Sequence, residues 1–304
     1  KISATDLEIG INLWIGAKVE QEGSITLPAR ILQEFVATNT DKTITFELKD
    51  STLKLHSPRF DAQIKGIDAS EFPLIPQLKT KPIATVLASE LFQGITQTVF
   101  ACAQDATKPV LAGVLLQIRE KLFKLVATDS YRLAEKTIKA TSNTGELQAI
   151  IPLRAMAELS RILAERNDQV AIASSENQIQ FTLEDTQFIS RLIEGSFPNY
   201  EDIIPKEFKT KAILPAGEFS QAIRMASYFA RESANNIKLE LKKPKQLEIR
   251  AVSPQVGENT SHLEANITGA DTEIAFNAKF ISDMLGVLGK DTVELNLGDR
   301  LSPG

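Results

Sequence analysis

Residues 124–137 (KLVATDSYRLAEKT) have an earlier copy at residues 1–12 (KISATDLEIGIN) and a degraded third copy at residues 248–258 (EIRAVSPQVGE). Asp6, Asp129 and Ser253 stand at matching places, 123 and 124 residues apart. A fixed period this long means one structural unit used three times. In the second copy Lys124 and Thr128 bracket apolar Leu125, Val126 and Ala127, the run breaks at Asp129-Ser130, and it then resumes. That is the pattern of a half-buried strand, a turn and a second strand.

The rest of the chain repeats around this phrase. About 22 to 24 residues after the positions of Asp6, Asp129 and Ser253 comes a helix start: Leu27-Pro28-Ala29-Arg30, Ile151-Pro152-Leu153-Arg154 and Phe276-Asn277-Ala278-Lys279. Proline is cheap in a first helical turn because its missing N–H would be unpaired anyway, and asparagine caps. The spacing predicts helices over 30–38, 154–167 and 278–288, with Met156, Leu159 and Leu163, and Phe280, Ile281, Met284, Leu285 and Leu288, at helical intervals. A hairpin follows each helix, turning at Asp50-Ser51, near Glu176-Asn177 and at Gly298-Asp299. Two copies close with related phrases, IDASEFPLIP at 67–76 and IEGSFPNYEDIIP at 193–205, whose prolines Pro73 and Pro198 are 125 apart. The residue before each proline is pushed toward extended geometry, so these read as crossovers between units.

The middle unit, 82–206, opens with a helix over 88–103 and a hairpin over 110–118 and 122–128; the third, 207–304, opens alike with a helix over 216–233 and a hairpin over 237–241 and 247–252. The first unit is 1–81. The period predicts about 43 further residues before Lys1 and about 27 after Gly304, so the first and third units are expected to lack an N-terminal and a C-terminal part. The fold class is α+β: three similar domains, each two helices packed on antiparallel sheet, arranged in an arc.

Composition narrows the function. The chain of 304 residues is 43% hydrophobic and 24% charged, a globular composition. One cysteine excludes an internal disulfide framework and makes a reducing cytoplasm the default. Two histidines and one cysteine leave little for a zinc site or a Cys-His pair. Asp6 and Glu8 interrupt any leader-like run, and no apolar stretch reaches the roughly 18 residues of a membrane span. The net charge of −5 does not favour nucleic acid, but it does not say where the cations sit. Asp129 and Arg132 can pair across one turn, yet no nucleophile–base constellation and no phosphate-cradling glycine loop stands out. Cys102, on an apolar helix, reads as buried. No catalytic residue, metal or cofactor is expected.

Three passages carry a resemblance: ATDLEI at 4–9, PVLAGVLL at 109–116 followed by ATDSYRLA at 127–134, and EGSFPNYEDIIP at 194–205. In order and at this spacing they resemble the bacterial DNA polymerase III beta subunit, the sliding clamp, over essentially the whole chain. The resemblance implies sliding-clamp domains and a head-to-tail homodimer, when full length, that closes around duplex DNA without reading its sequence. It implies partners too: a replicative DNA polymerase and a clamp loader, engaging through short linear motifs, and no membrane. A closed ring needs only weak, distributed phosphate attraction.

The resemblance also places sites. A peptide groove is implied at Leu111, Thr128, Ser130, Tyr131, Arg132, Leu133, Pro198, Ile203, Asn277 and Phe280. Leu111, Leu133, Pro198 and Ile203 suit an apolar cleft, while Thr128 and Arg132 suit a peptide backbone or a glutamine side chain. Taken singly, Leu111, Leu133 and Ile203 read more readily as core; as a set they favour the cleft. Asp202, Ser130 and Tyr131 depart from the family pattern, which more often has a basic residue, Gly and His there. Arg30, Arg154, Arg161, Arg224 and Lys279 on polar helix faces, with Lys108 before Pro109, are the DNA-facing candidates; a solvated face is the alternative. Ile31 and Phe35 of one chain are implied to meet Tyr228 and Phe229 of another, with packing inside one unit as the alternative. A repeat-built protein-binding scaffold that does not encircle DNA, and an enzyme with an unrecognised site, remain as other classes.

Overall fold

The structure is a computed structural model that describes residues 1–105, 107–120, 122–299 and 302–304. Lys121, expected in a hairpin turn, lies outside the described residues. The first unit contains β1 (Ile2–Thr5), β2 (Ile9–Leu13), α1 (Ala29–Thr38), β3 (Thr45–Lys49), β4 (Thr52–His56) and β5 (Asp61–Lys65). The second contains β6 (Ala84–Leu87), α2 (Ala88–Thr96), β7 (Gly113–Arg119), β8 (Leu122–Thr128), β9 (Leu133–Lys139), β10 (Ser142–Asn143), β11 (Leu147–Pro152), α3 (Leu153–Leu163), β12 (Gln169–Ser174), β13 (Gln178–Thr182) and β14 (Thr186–Arg191). The third contains β15 (Thr210–Pro215), α4 (Ala216–Ala230), β16 (Asn236–Lys242), β17 (Gln246–Ser253), β18 (Gly257–Glu264), β19 (Asn266–Gly269), β20 (Thr272–Asn277), α5 (Ala278–Leu288) and β21 (Thr292–Leu297).

The repeat is one turn, built each time from the same hydrogen bonds. Asp6 Oδ1 accepts from Glu8 N at 3.0 Å and Ile9 N at 2.7 Å. Asp129 Oδ1 accepts from Tyr131 N and Arg132 N, both at 2.9 Å. In the third copy Ser253 Oγ accepts from Gln255 N at 3.3 Å and Val256 N at 3.2 Å. A short side-chain acceptor that folds back two and three residues is what makes Asp and Ser turn formers, which is why the third copy can exchange one for the other. Thr5 and Thr128 add a second brace, their hydroxyls donating to the carbonyls of Ile9 and Arg132 at 2.7 Å.

The sheets repeat as well. The second unit has a four-stranded sheet β11-β7-β8-β9, and the third has β20-β16-β17-β18 in the same relative order. The order β12-β6-β10 in the second likewise recurs as β21-β15-β19 in the third. Buried faces of α2 (Leu91, Ile95) and α3 (Met156, Leu159, Leu163) close a core with Leu116, Phe123, Phe181 and Phe188. Phe219, Ile223 and Ala226 of α4 close the third unit's core against Leu239, Leu247 and Ile249. In the first unit α1 buries no residue fully and rests on a small cluster of Leu53, Leu55 and Ile64.

Two helices are shorter than their apolar spacing predicts. The helix expected over 88–103 stops at Thr96, and only a 3-10 turn, Val99–Ala101, follows. Thr96 and Thr98 donate their hydroxyls back to the carbonyls of Phe92 and Gly94 at 2.9 and 2.8 Å, competing with the helical ladder. The helix expected to reach 167 stops at Leu163, because Ala164 is extended and Glu165 is left-handed at φ 63°.

The first and second units share a sheet. Its order, β1-β2-β14-β13-β12-β6-β10, places two strands of the first unit beside five of the second. β2 pairs antiparallel with β14, from Leu13 opposite Thr186 to Ile9 opposite Ser190. Trp14 N extends the ladder by donating to Asp185 O at 2.8 Å, and Arg191 N donates to Glu8 O at 3.0 Å. The 67–76 crossover then packs so closely that a Cβ on Gly10 would lie 2.6 Å from Ile75 Cγ2.

Candidate peptide groove and unit junctions

The second and third units meet through Arg132. Its Nε lies 3.1 Å from Asp129 Oδ2 and its Nη1 2.6 Å from Asp283 Oδ2. The guanidinium lies over two rings, 4.5 Å from the Phe280 centroid and 5.5 Å from that of Phe100. A planar, always-charged fork suits two carboxylates and two ring faces at once, which an ammonium would not. Beside it Gln97 Nε2 donates to Val287 O at 3.0 Å and Leu288 O at 3.2 Å, satisfying end carbonyls of α5 from another unit.

The residues implied for a peptide groove gather around this junction in two layers. Leu111, at 5% exposure, and the partly buried Leu133 belong to a small apolar cluster with Leu115, Val126, Phe197 and Tyr200. Above it Pro198 is exposed, Ile203 is 59% exposed and Tyr131 85% exposed. Thr128 is buried, its hydroxyl committed to the turn rather than offered outward. Ser130 is left-handed at φ 80°, and its Oγ accepts from Lys108 Nζ at 3.2 Å. That places Lys108 on the rim of this turn. Asn277 caps α5, its Oδ1 accepting from Lys279 N at 2.9 Å, and donates to Ala234 O at 3.3 Å.

Sequence reasoning missed the partners that hold these residues still. Asp283, Phe100 and Glu135 were not singled out. Tyr200 OH donates to Glu135 Oε2 at 2.7 Å, pinning the 3-10 turn Tyr200–Ile203 that carries Ile203. Burial first, then that bond to a carboxylate, push the Tyr200 phenol well above its ordinary range. Asp202, in the same turn, accepts from Asn199 Nδ2 at 2.5 Å. Cys102 is buried as expected; its surroundings, and then the Asp129 charge, push its thiol up to about 12.

Most of the cations read as DNA-facing are already paired. Arg30 meets Glu34 at 2.8 Å, Arg154 meets Asp6 at 2.9 Å, Arg161 meets Glu158 at 2.7 Å and Lys279 meets Asp283 at 3.1 Å. Among the described residues, Lys108 and Arg224 form no ion pair. Of the four residues implied at a subunit contact, Ile31 and Tyr228 are 52% and 45% exposed. Phe35 and Phe229 are partly buried in their own units' clusters.

Fold and site define a three-unit clamp: repeated α+β units, the first two joined through a shared sheet and the second and third through Arg132 and Gln97. Residues 1–76, 85–199 and 201–304 match the N-terminal, central and C-terminal domains of the DNA polymerase III beta subunit. The beta sliding clamp of Synechococcus elongatus is 33% identical over 308 residues, covering 99% of this chain and 82% of that protein. The beta sliding clamp of Bacillus subtilis is 33% identical over 289 residues, covering 94% and 76%. Among solved structures, the DNA polymerase sliding clamp from Bacillus subtilis superposes with a TM-score of 0.91 at 31% identity, covering 99% and 82% of the two chains. A sliding clamp from Pseudomonas aeruginosa bound to griselimycin superposes with a TM-score of 0.92 at 27% identity, covering 99% and 82%. The chain belongs to the DNA polymerase III beta subunit family, the beta sliding clamps.

Proposed function

We propose that the chain is a DNA sliding clamp, a non-catalytic replication processivity factor in the cytoplasm. Two copies close head to tail around duplex DNA and tether a replicative polymerase and other partners through short peptides. The observation that carries this reading is the β2·β14 joint. It shows how one unit of this chain continues the sheet of the next. β18 follows the same turn as β2, and β5 ends a three-strand hairpin set matching β12-β13-β14; both are outer strands of their sheets. Repeating the joint between β18 of one copy and β5 of another gives a contact that closes by rotation into a ring. Units bounded at 1–81, 82–206 and 207–304 fit that arrangement, with Ile31 and Phe35 brought toward Tyr228 and Phe229.

The electrostatics suit sliding rather than docking. Arg30, Arg154, Arg161 and Lys279 each carry a carboxylate partner, so a passing phosphate gains only a share of their charge, while Lys108 and Arg224 act as less compensated cations. Attraction that is weak per contact keeps DNA central without holding it. Processivity then comes from topology, which keeps the polymerase's effective concentration at the primer end high.

The groove residues suit tethering because the floor is buried and the rim is exposed. Leu111 and Leu133 form the floor, Pro198, Ile203 and Tyr131 the rim, and Thr128, Ser130, Asn277, Phe280 and Arg132 the surrounding frame. Fluorescence anisotropy of a labelled glutamine-containing apolar peptide tests it. Saturable binding that Ile203→Asp weakens at least tenfold supports the groove; equal binding by that variant refutes it. Sedimentation at a two-chain mass tests the ring.

A further inference from the structure

The helix that follows each repeated turn begins with a cation at its second residue: Arg30 in α1, Arg154 in α3 and Lys279 in α5. A cation there opposes the positive end of the helix dipole, and none of the three first turns carries an acidic residue to offset it. At two places a neighbouring unit supplies the negative charge. Asp6, in the repeated turn of the first unit, lies 2.9 Å from Arg154. At the next junction Asp129, in the same turn of the second unit, leads through Arg132 and Asp283 to Lys279.

The third turn has Ser253 where the others have Asp, so it holds no carboxylate of its own. One is delivered from elsewhere. Ser253 Oγ donates to Glu232 Oε2 at 2.7 Å, which anchors an exposed glutamate from the 3-10 turn Arg231–Ser233 against the place of the missing aspartate. The surrounding surface matches a junction too. Counted from each helix's first residue, Met225 and Tyr228 of α4 stand where α2 and the turn after it have Gln97 and Phe100. Gln97 and Phe100 both reach the third unit's junction, whereas Met225 and Tyr228 are 46% and 45% exposed. Arg30 is 88% exposed at its side chain and bonds within its own helix, to Glu34.

Resting on the head-to-tail ring proposed above, we propose that Arg30 of one copy pairs with Glu232 of a second copy, the Ser253–Glu232 unit replacing the turn aspartate used at the other two junctions. The partner is thus a second copy of this chain. The contact is charge-complementary, flanked by Ile31 and Tyr228, and like Arg154 at its own junction Arg30 keeps a side open to solvent.

Sedimentation equilibrium of the full chain and of Arg30→Glu, Glu232→Arg and the double variant tests the pair. A closed ring contains the contact twice, so each single reversal is expected to raise the dissociation constant about tenfold, roughly 1.4 kcal/mol over two contacts. The double variant restores it to within about threefold, roughly 0.7 kcal/mol. Unchanged association in both single variants overturns the pair and leaves the ring standing. Loss of association in the singles without recovery in the double also overturns it. Failure of the unmodified chain to self-associate overturns ring and pair together.

Discussion

Arg132 and Asp283 are 151 positions apart in the chain, yet Nη1 and Oδ2 are separated by 2.6 Å. With Asp129, Phe100 and Phe280 around the same guanidinium, one side chain ties the repeated turn of the second unit to a helix of the third. The residues proposed for peptide binding and the junction therefore share Arg132. A ligand drawing on Arg132 must compete with Asp283.

Arg132→Ala removes this tie, leaving the partly buried Asp129 without its cation and Asp283 with Lys279 alone. Discounted for partial exposure, the loss is expected at about 2–4 kcal/mol. Arg132→Lys keeps a charge but not the fork and falls between. Urea unfolding checks this, and in the alanine variant the second and third units are expected to unfold in separate transitions. A single unshifted transition contradicts the assignment.

Ser130 holds a left-handed conformation at φ 80°, which costs a non-glycine residue about 1 kcal/mol. Ser130→Gly relieves it and loses an exposed bond from Lys108. The expected result is unchanged or raised stability, by up to about 1 kcal/mol in thermal unfolding. A fall would mean that the Lys108 bond holds the turn.

Acid is expected to loosen the joint between the first and second units. Hydrogen bonds from Arg166, then from Thr186, hold the Asp185 carboxyl below its usual range. The Ile9 N–H lowers that of Asp6 against the opposing effect of burial, helped by the Glu8 N–H and Arg154. Folded values below the unfolded ones mean that the unfolded chain binds more protons in acid. This stability is complete above about pH 5 and is lost as pH falls through the unfolded and then the folded values. Arg166→Met flattens the acid limb of a stability–pH curve; an unchanged limb contradicts the assignment.

Cys102, buried with its thiol raised to about 12, is expected to react with a disulfide reagent only as the second unit opens. Labelling that accelerates in urea in parallel with unfolding agrees with this. Prompt stoichiometric labelling of the native chain does not.

The residues that made the architecture legible act locally. The Asp6, Asp129 and Ser253 turns, Pro152 and Asn277 at helix starts, and alternation as in Phe181 and Leu183 each declare themselves within a few positions. Thr96 and Thr98 ended a helix that apolar spacing carried further, because back-bonding to the ladder competes with periodicity. The groove candidates were found through the resemblance, but what fixes them was not visible. Asp283 reads as an ordinary i,i+4 partner of Lys279, and nothing in a linear pattern says that it also faces Arg132. Ser253 reads in sequence as decay of the repeat, because the Glu232 that bonds it stands 21 positions away.

The central claim is retention by topology. Protein loaded by a clamp loader onto nicked circular DNA is split into two portions, one is linearised, and the protein left on DNA is measured after a salt chase. The account predicts retention on circles and loss from linear ends. Equal retention on both would contradict it, because that result requires ordinary surface binding, and retention on neither would leave a scaffold that does not encircle DNA.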